Sequence, residues 1–325
     1  MKKTISNLLK ALIVPFAVYL VFLLPNIQHF GTFNIIYMIF IQSLVPAMIG
    51  FGVAFGWIAG MIDFTVGARM IISCLVGGIL SNYLGVAGLV IGCIGTSIAL
   101  GLFTGFVNNL LKIPSIITTI GLAAGLEVVA HYISNASKFV TLSPENSILG
   151  NPLSLIIIFI GMSIAFYIIY YRMRVSYQIR AVGSEPVLAQ NMGINIDRAK
   201  TMSFIVGSLF LGVGALLQVS YNGSVAVLNN LASLVLLFPP LMGVLIAYAL
   251  TMYCNLTPGI LIGSLTVNIM YMGIIAHGLD DAFQNIALGI LIMVVMFITV
   301  NRENLSAYFK VRRNKAIRHK RTSNI

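Results

Sequence analysis

Glu127 and His131 stand four residues apart inside the apolar run 113–133, which puts a carboxylate and an imidazole on one helical face. Ionisable groups at such depth are costly and mark solute or proton paths by default. Two readings stay open: a self-satisfied Glu–His pair near one interface, or a polar contact along a translocation path or outer gate. Asp63 is the second such group, six residues before Arg69. It can cap a helix or pair with Arg69, or it can serve as a gate or solute contact. Thr65, Gly67 and Asn108 complete the candidate pathway set. Asn109, Gln218, Asn268, Gln284 and Asn285 fall at span ends or inside spans and read as interhelical hydrogen-bonding residues.

None of these groups makes or breaks covalent bonds. The chain has no Gly-Lys dipeptide, so it lacks the phosphate-cradling loop of nucleotide hydrolases, and neither HExxH nor GxSxG occurs. His29, His131, His277 and His319 are scattered, and Asp280–Asp281 reads as a solvated loop pair. Cys74, Cys93 and Cys254 have no metal-binding spacing and read as small buried apolar residues. The chemistry is that of passage, with no catalytic, cofactor-binding or metal-binding residue.

The elements that position these groups follow from composition. Hydrophobic residues make up 59% of the 325 and charged ones 8%, against about 25% charged in soluble domains; mean hydropathy is +0.99. The chain is therefore an all-α polytopic membrane protein. Ten apolar stretches can be drawn: 8–27, 35–59, 68–84, 86–107, 113–133, 153–171, 201–219, 231–253, 260–276 and 283–300. Lys2, Lys3 and Lys10 precede or open the first, which is long and lacks a small-residue cleavage site, so it reads as an uncleaved span.

Lys and Arg favour cytoplasmic loops. With ten spans and both termini cytoplasmic, every one of the 19 Lys and Arg lies on the inner side except Lys138. Residues 1–301 then form one transmembrane domain. Residues 302–325 form a basic tail whose role is to anchor topology against anionic lipid. The net charge of +11 thus has no bearing on nucleic acid. Glycines at four-residue spacing (Gly52/Gly56/Gly60, Gly88/Gly92, Gly101/Gly105, Gly121/Gly125, Gly259/Gly263) predict tightly packed helix faces. Pro46 and Pro239–Pro240 predict kinks or breaks inside spans 2 and 8.

One inner loop, 172–200, stands apart. Arg174, Arg180, Glu185, Asp197, Arg198 and Lys200 crowd into it, and it carries helix signals of its own. Ser184 is suited to cap a helix, Pro186 to its first turn, residues 187–192 to one or two turns, and Gly193 to a stop. A short helix of Ser184, Glu185, Pro186, Val187, Leu188, Ala189, Gln190, Met192 and Gly193 would expose Val187, Leu188 and Met192, a shape made for docking.

The stretch Ile179-Arg180-Ala181-Val182-Gly183, the short helix, and Gly193-Ile194-Asn195 through Lys200 resemble the coupling-helix loop of ATP-binding cassette importer permeases, in the branch serving ribose, galactose and related monosaccharides. GMIDFTVGARM, residues 60–70, is similar to that branch's Gly-Ile-Asp-Leu-Ser-Val-Gly signature through Ile62, Asp63, Thr65, Val66 and Gly67. NNLLKIPSIITTIGL, residues 108–122, resembles its Asn-Gly-x-Leu…Val-Pro-x-Phe-Ile-x-Thr-Leu-Gly stretch more loosely. Leu188 and Gln190 stand where the family more often has Ala and Arg, and Ala68 where Ser is common.

The resemblance implies a type II importer permease fold, with a break in or beside span 2 at the Asp63 region. It implies a bacterial inner-membrane subunit that is not itself an enzyme and binds no cofactor, with ATP and magnesium held by cytoplasmic ATPase subunits gripping the loop. The expected partners are those ATPases, an extracytoplasmic binding protein that delivers a monosaccharide, a second permease copy (homodimer or heterodimer) and membrane lipid. Nucleosides, branched-chain amino acids or a sugar-derived signal are alternative cargoes. An ion-driven secondary carrier is the alternative from another class, disfavoured by the shortage of intramembrane acids.

Overall fold

A computed structural model describes residues 7, 9–25, 27–134, 139–279 and 281–300. Lys138, Asp280 and the basic tail lie outside the described residues. The elements in chain order are α1 (Ile13–Leu23), α2 (Ile27–Phe30), α3 (Phe33–Ile58), α4 (Val66–Leu111), α5 (Ser115–Ile133), β1 (Phe139–Thr141), α6 (Pro152–Arg172), α7 (Arg174–Ser184), α8 (Pro186–Asn191), α9 (Ile196–Asn222), β2 (Ser224–Ala226), α10 (Phe238–Ala249), α11 (Leu256–Ala276) and α12 (Asp281–Val300).

Seven helical stretches are long and apolar enough to cross a bilayer. One of them, α4, has 46 residues, a length of about 69 Å if straight, twice what a hydrocarbon core needs. It is not straight. Gly85 takes φ 60 and ψ −144, a conformation open to a residue without a Cβ, and the chain doubles back there. The arms then close on one another through glycine: a Cβ at Gly92 would come 2.6 Å from Gly77 Cα, and one at Gly88 would strike the Leu80 carbonyl. This is the boundary between the predicted spans 68–84 and 86–107. With α4 counted as two spans and the shorter apolar helices at either end included, the bundle has about ten crossings, as the hydropathy pattern predicts.

The hairpin also sets depth. Arg69 in the first arm lies beside Gly101 in the second, ten residues before Leu111. The first arm, which opens three residues before Arg69, therefore begins about 10–11 Å in from the end of the second. Between Ile58 and Val66 the chain leaves helix and climbs back into the bundle to reach that starting point, which places Asp63 and Thr65 inside it.

α9 occupies the middle, against both arms of α4 and against α3; α11 packs on α10, α3 and α1, and α5 packs on α4. Phe51 and Phe55 from α3, Phe166 from α6 and Phe210 from α9 are fully buried, with ring centroids 4.5 Å apart for Phe51–Phe166 and 5.6 Å for Phe166–Phe210. The outer faces are apolar and exposed, as on α6 at Ile157, Ile160 and Ile164, and face lipid.

α3 continues through Pro46 without a break. Two expectations are corrected. The Pro239–Pro240 pair lies in the first turn of α10, where missing N–H groups are harmless. The eighth span is interrupted just before it, by a 3₁₀ turn over Ala232–Leu237. Among the four-spaced glycines, Gly52 meets Gly207, Gly105 meets Thr201 and Gly263 meets Gly243, but a Cβ at Gly121 or Gly125 would meet nothing in this chain within 4 Å, and Gly60 falls beyond the end of α3.

Gly92→Val should cost at least about 2 kcal/mol, because the added methyls have backbone in their way. Gly95→Ala, with nothing near its Cβ, should be neutral or stabilising. Thermal unfolding of the two variants in detergent, compared with wild type, measures the difference.

Candidate functional site

The inner loop folds as two helices, not one. α6 stops at Met173, whose ψ of 141 breaks the helix, and α7 starts afresh with Ser176, Ile179 and Val182 as its buried stripe. Its last turn presses on the end of α3: a Cβ at Gly183 would overlap the Ile58 carbonyl oxygen. The Arg180 guanidinium lies over two rings, 4.4 Å from the Tyr177 centroid and 4.9 Å from that of Tyr170. Tyr170 belongs to α6, so the cation fastens α7 to the bundle.

Ser184 is the final residue of α7 and caps nothing, which corrects the sequence expectation. The reason is Pro186: the residue before a proline is pushed out of the helical region, so Glu185, extended at φ −152 and ψ 95, takes the cap position of α8. Pro186 occupies the first turn. Gly193, at φ 80, ends the helix. Its amide donates to Gln190 O at 2.9 Å, and the Ile194 amide reaches Ala189 O at 3.0 Å, the double closure of a glycine-terminated helix. Ala189 is buried against Val182 and Ala199. Glu185 and Gln190 are exposed, and Val187, Leu188 and Met192 are exposed by 66, 58 and 72%. Asn195 Oδ1 accepts the Arg198 amide at 2.9 Å and starts α9.

A second polar group lies halfway along the bundle. Asp63 accepts the Thr65 amide at 2.9 Å and the Thr65 hydroxyl, and its other oxygen pairs with Arg69 Nη2 at 2.7 Å. Cap and ion pair, the two structural alternatives for Asp63, are thus both realised. Arg69 is 2% exposed; its Nη1 donates to Ser208 Oγ at 2.9 Å, carrying the network into α9, and Ser97 Oγ donates to Ser208 O at 2.7 Å. A charge pair this deep is tolerable because the two charges face one another and both terminal nitrogens of Arg69 have partners, although its buried Nε has none.

Glu127, 3% exposed, does not pair with His131, which corrects that expectation. Its Oε2 accepts the Leu231 amide and its Oε1 the Ser233 amide, each at 2.8 Å. The i,i+4 spacing brought the two side chains near one face, but two backbone N–H groups at the start of the 3₁₀ turn, with no helical partner, compete for the carboxylate and win. His131 is exposed. Gly67 belongs to the same knot: a Cβ there would lie 2.0 Å from the Ser233 carbonyl oxygen. Thus Gly67 and Glu127 meet at Ser233, with Thr65 and Asp63 immediately beside Gly67 in the chain.

Asn108 lies apart, facing a cavity of about 590 Å³ at the end of the bundle that carries α8, which Met61, Ile62, Lys112, Pro186 and Lys200 help to line. Its Nδ2 approaches Met61 Sδ at 3.9 Å. Asn109 Nδ2 ties α4 to α9 through Asp197 O and Thr201 Oγ1, and Asn268 Nδ2 donates to Ile39 O at 2.7 Å, both interhelical bonds of the expected kind. Cys74 and Cys93 are buried, Cys254 partly so, and all three are free. The sequence reading missed Ser233 and the Asn229–Asn230 pair before it; two consecutive amides interrupting an apolar run were the available signal.

An all-helical bundle with lipid-facing sides, a polar knot at half depth and a short exposed helix at one end defines a multi-pass membrane permease. The chain belongs to the family described as the permease component of branched-chain amino acid transport systems, whose pattern it matches over residues 35–300. It is similar to the D-allose transport system permease protein of Escherichia coli strain K12, 27% identical over 61% of this chain and 63% of that one. It is also similar to the galactofuranose transporter permease protein of the same strain, at 26% over 79% and 76%, and to the autoinducer 2 import system permease protein of Enterobacter sp. strain 638, at 23% over 60% and 58%. The chain spans a little under two thirds of the length of the allose relative. No solved structure is significantly similar to it.

Glu127→Gln places an NH₂ where one of two buried amides needs an acceptor, and should lower stability by about 1–3 kcal/mol. His131→Ala should stay within about 0.5 kcal/mol of wild type. Unfolding temperatures of the purified variants give both values; a destabilised His131→Ala would restore the pair.

Proposed function

We propose that this chain is the membrane-spanning subunit of an ATP-driven importer of the bacterial inner membrane, carrying a monosaccharide or a closely related polyol-like solute. The observation that carries the reading is α8: a capped, glycine-terminated helix that buries Ala189 and leaves Val187, Leu188 and Met192 in solvent. An exposed apolar cluster on a rigid support is a docking surface, and the partner is a cytoplasmic ATPase supplying the chemistry this chain lacks. Family membership supports the class, and the allose and galactofuranose relatives support the cargo.

In this reading both termini are cytoplasmic, which the distribution of Lys and Arg favours. A binding protein delivers the sugar at the opposite end, where β1 and β2 pair antiparallel, Val140 against Val225. Closure of the ATPase dimer pushes α8; the push passes as a rigid-body displacement through the Gly183–Ile58 contact to α3, and through Arg180 to Tyr170 of α6. A second permease copy completes the pathway. The open face of α5 at Gly121 and Gly125, which nothing among the described residues approaches, suits close helix packing against it. Asp63, Thr65, Gly67, Asn108 and Glu127 organise the path's interior; the exposed His131 is the least integrated of the candidates.

Leu188→Asp should abolish ATP-dependent uptake and co-purification of the ATPase while the chain still inserts. Gly193→Pro should do the same, since proline is held at negative φ and has no amide to give Gln190 O. Uptake in membrane vesicles that persists without ATP on an imposed ion gradient would overturn the reading.

A further inference from the structure

The turn between β2 and α10 has an unusual backbone and an unusual address. The Ala232 amide donates to Asn229 O at 3.2 Å, closing a β-turn. Its two central residues are both left-handed, Asn230 at φ 59 and Leu231 at φ 63. Tight turns of this hand normally place Asn and Gly there; a leucine at positive φ is an outlier. Such a conformation persists only where the surroundings over-determine it, and here they do. Glu127 holds the amides on either side of Ala232, and the Ser233 carbonyl lies against Gly67.

The address follows from the helices. Glu127 is twelve residues into α5, about 18 Å from its inner end, and Gly67 opens the first arm of α4, about 12–15 Å in from the end of the second. Both lie in the middle third of a bilayer core about 30 Å thick, and the turn lies between them. Yet the Asn229 and Asn230 side chains are exposed. Exposed amides facing hydrocarbon would have no partners; at this depth they must face water in a path or another protein surface. Each amide offers donors and an acceptor together, the combination that a hydroxyl group, also donor and acceptor, requires.

We propose that Asn229 and Asn230 line the translocation path at mid-membrane and bind the hydroxyl groups of a polyhydroxylated solute in transit, with Glu127 as the residue that positions them. The proposal rests on the permease reading and names the contact residues of its path.

The test has two arms, separable from that reading. In a Cys254→Ser background, where Cys74 and Cys93 stay buried, Asn229→Cys and Asn230→Cys are treated with a charged, membrane-impermeant thiosulfonate, in intact cells and in inside-out vesicles. Ile160→Cys on the lipid face of α6 serves as control. Modification at least about tenfold faster than the control, from either side, is expected where water reaches the site; the control's rate from both sides means lipid or a dry protein interface and overturns the proposal.

In proteoliposomes with the ATPase and binding protein, Asn229→Ala and Asn230→Ala should each shift the ratio of kcat/KM between radiolabelled D-allose and D-ribose by about tenfold, the scale of one lost hydrogen bond to a hydroxyl. ATP hydrolysis should continue. An unchanged ratio overturns the sugar contact even where labelling succeeds. A wild type that takes up neither sugar with ATP defeats the permease reading instead, and the labelling arm then decides the placement of the turn by itself.

Discussion

A backbone that leaves its helix halfway through a bilayer must find partners for its N–H and C=O groups inside the protein, because hydrocarbon supplies none. This chain runs without helix twice inside the bundle, where it climbs from Ile58 to Val66 and again around residues 229–233. Each departure is stabilised by one acid. Asp63 serves the first through Thr65 and Arg69, and Glu127 serves the second through two amides. The two departures touch where Gly67 meets Ser233. The chain has only eight acidic residues, so two of them spent on backbone at one depth is an arrangement the rest of the bundle is built around: the short first arm of α4, the central place of α9, and the 3₁₀ entry to α10 all follow from it.

Much of the fold was legible because lipid imposes a simple code. Apolar runs long enough to span stand out from composition alone, and the one-residue gap at Gly85 separated two spans that the backbone merges into a hairpin. The inner loop was legible too, since Pro186 and Gly193 are strong local signals. What failed did so where a distant partner outcompeted a local one. The Glu127–His131 spacing is a true helical neighbourhood, but the carboxylate's partners come from a segment about a hundred residues later, and nothing local announces them. Ser184 was misplaced by one residue because the constraint proline puts on its predecessor outweighs serine's liking for a cap. The glycines at 121 and 125 have the pattern of packed helices but no partner among the described residues, and spacing does not distinguish a neighbour in one's own bundle from one in another copy.

The two ends of the proposed machine differ in what holds them. At the docking end the contacts are glycine on carbonyl, cation on ring and small apolar residues in a knot, all of which transmit displacement well and resist shear poorly. Halfway up, the contacts are hydrogen bonds with fixed directions. The proposed push on α8 would therefore enter a region free to slide and reach one that is not, with α3 and the inner part of α6 between them.

Arg180 adds a property to that route. Its guanidinium is seated over two tyrosine faces, not against a carboxylate. A cation held on ring faces is less exposed to competition from dissolved ions than a surface ion pair would be. The stiffness of the arm is thus decoupled from the salt of the surrounding solution, and swings in it leave the geometry of the joint unaltered.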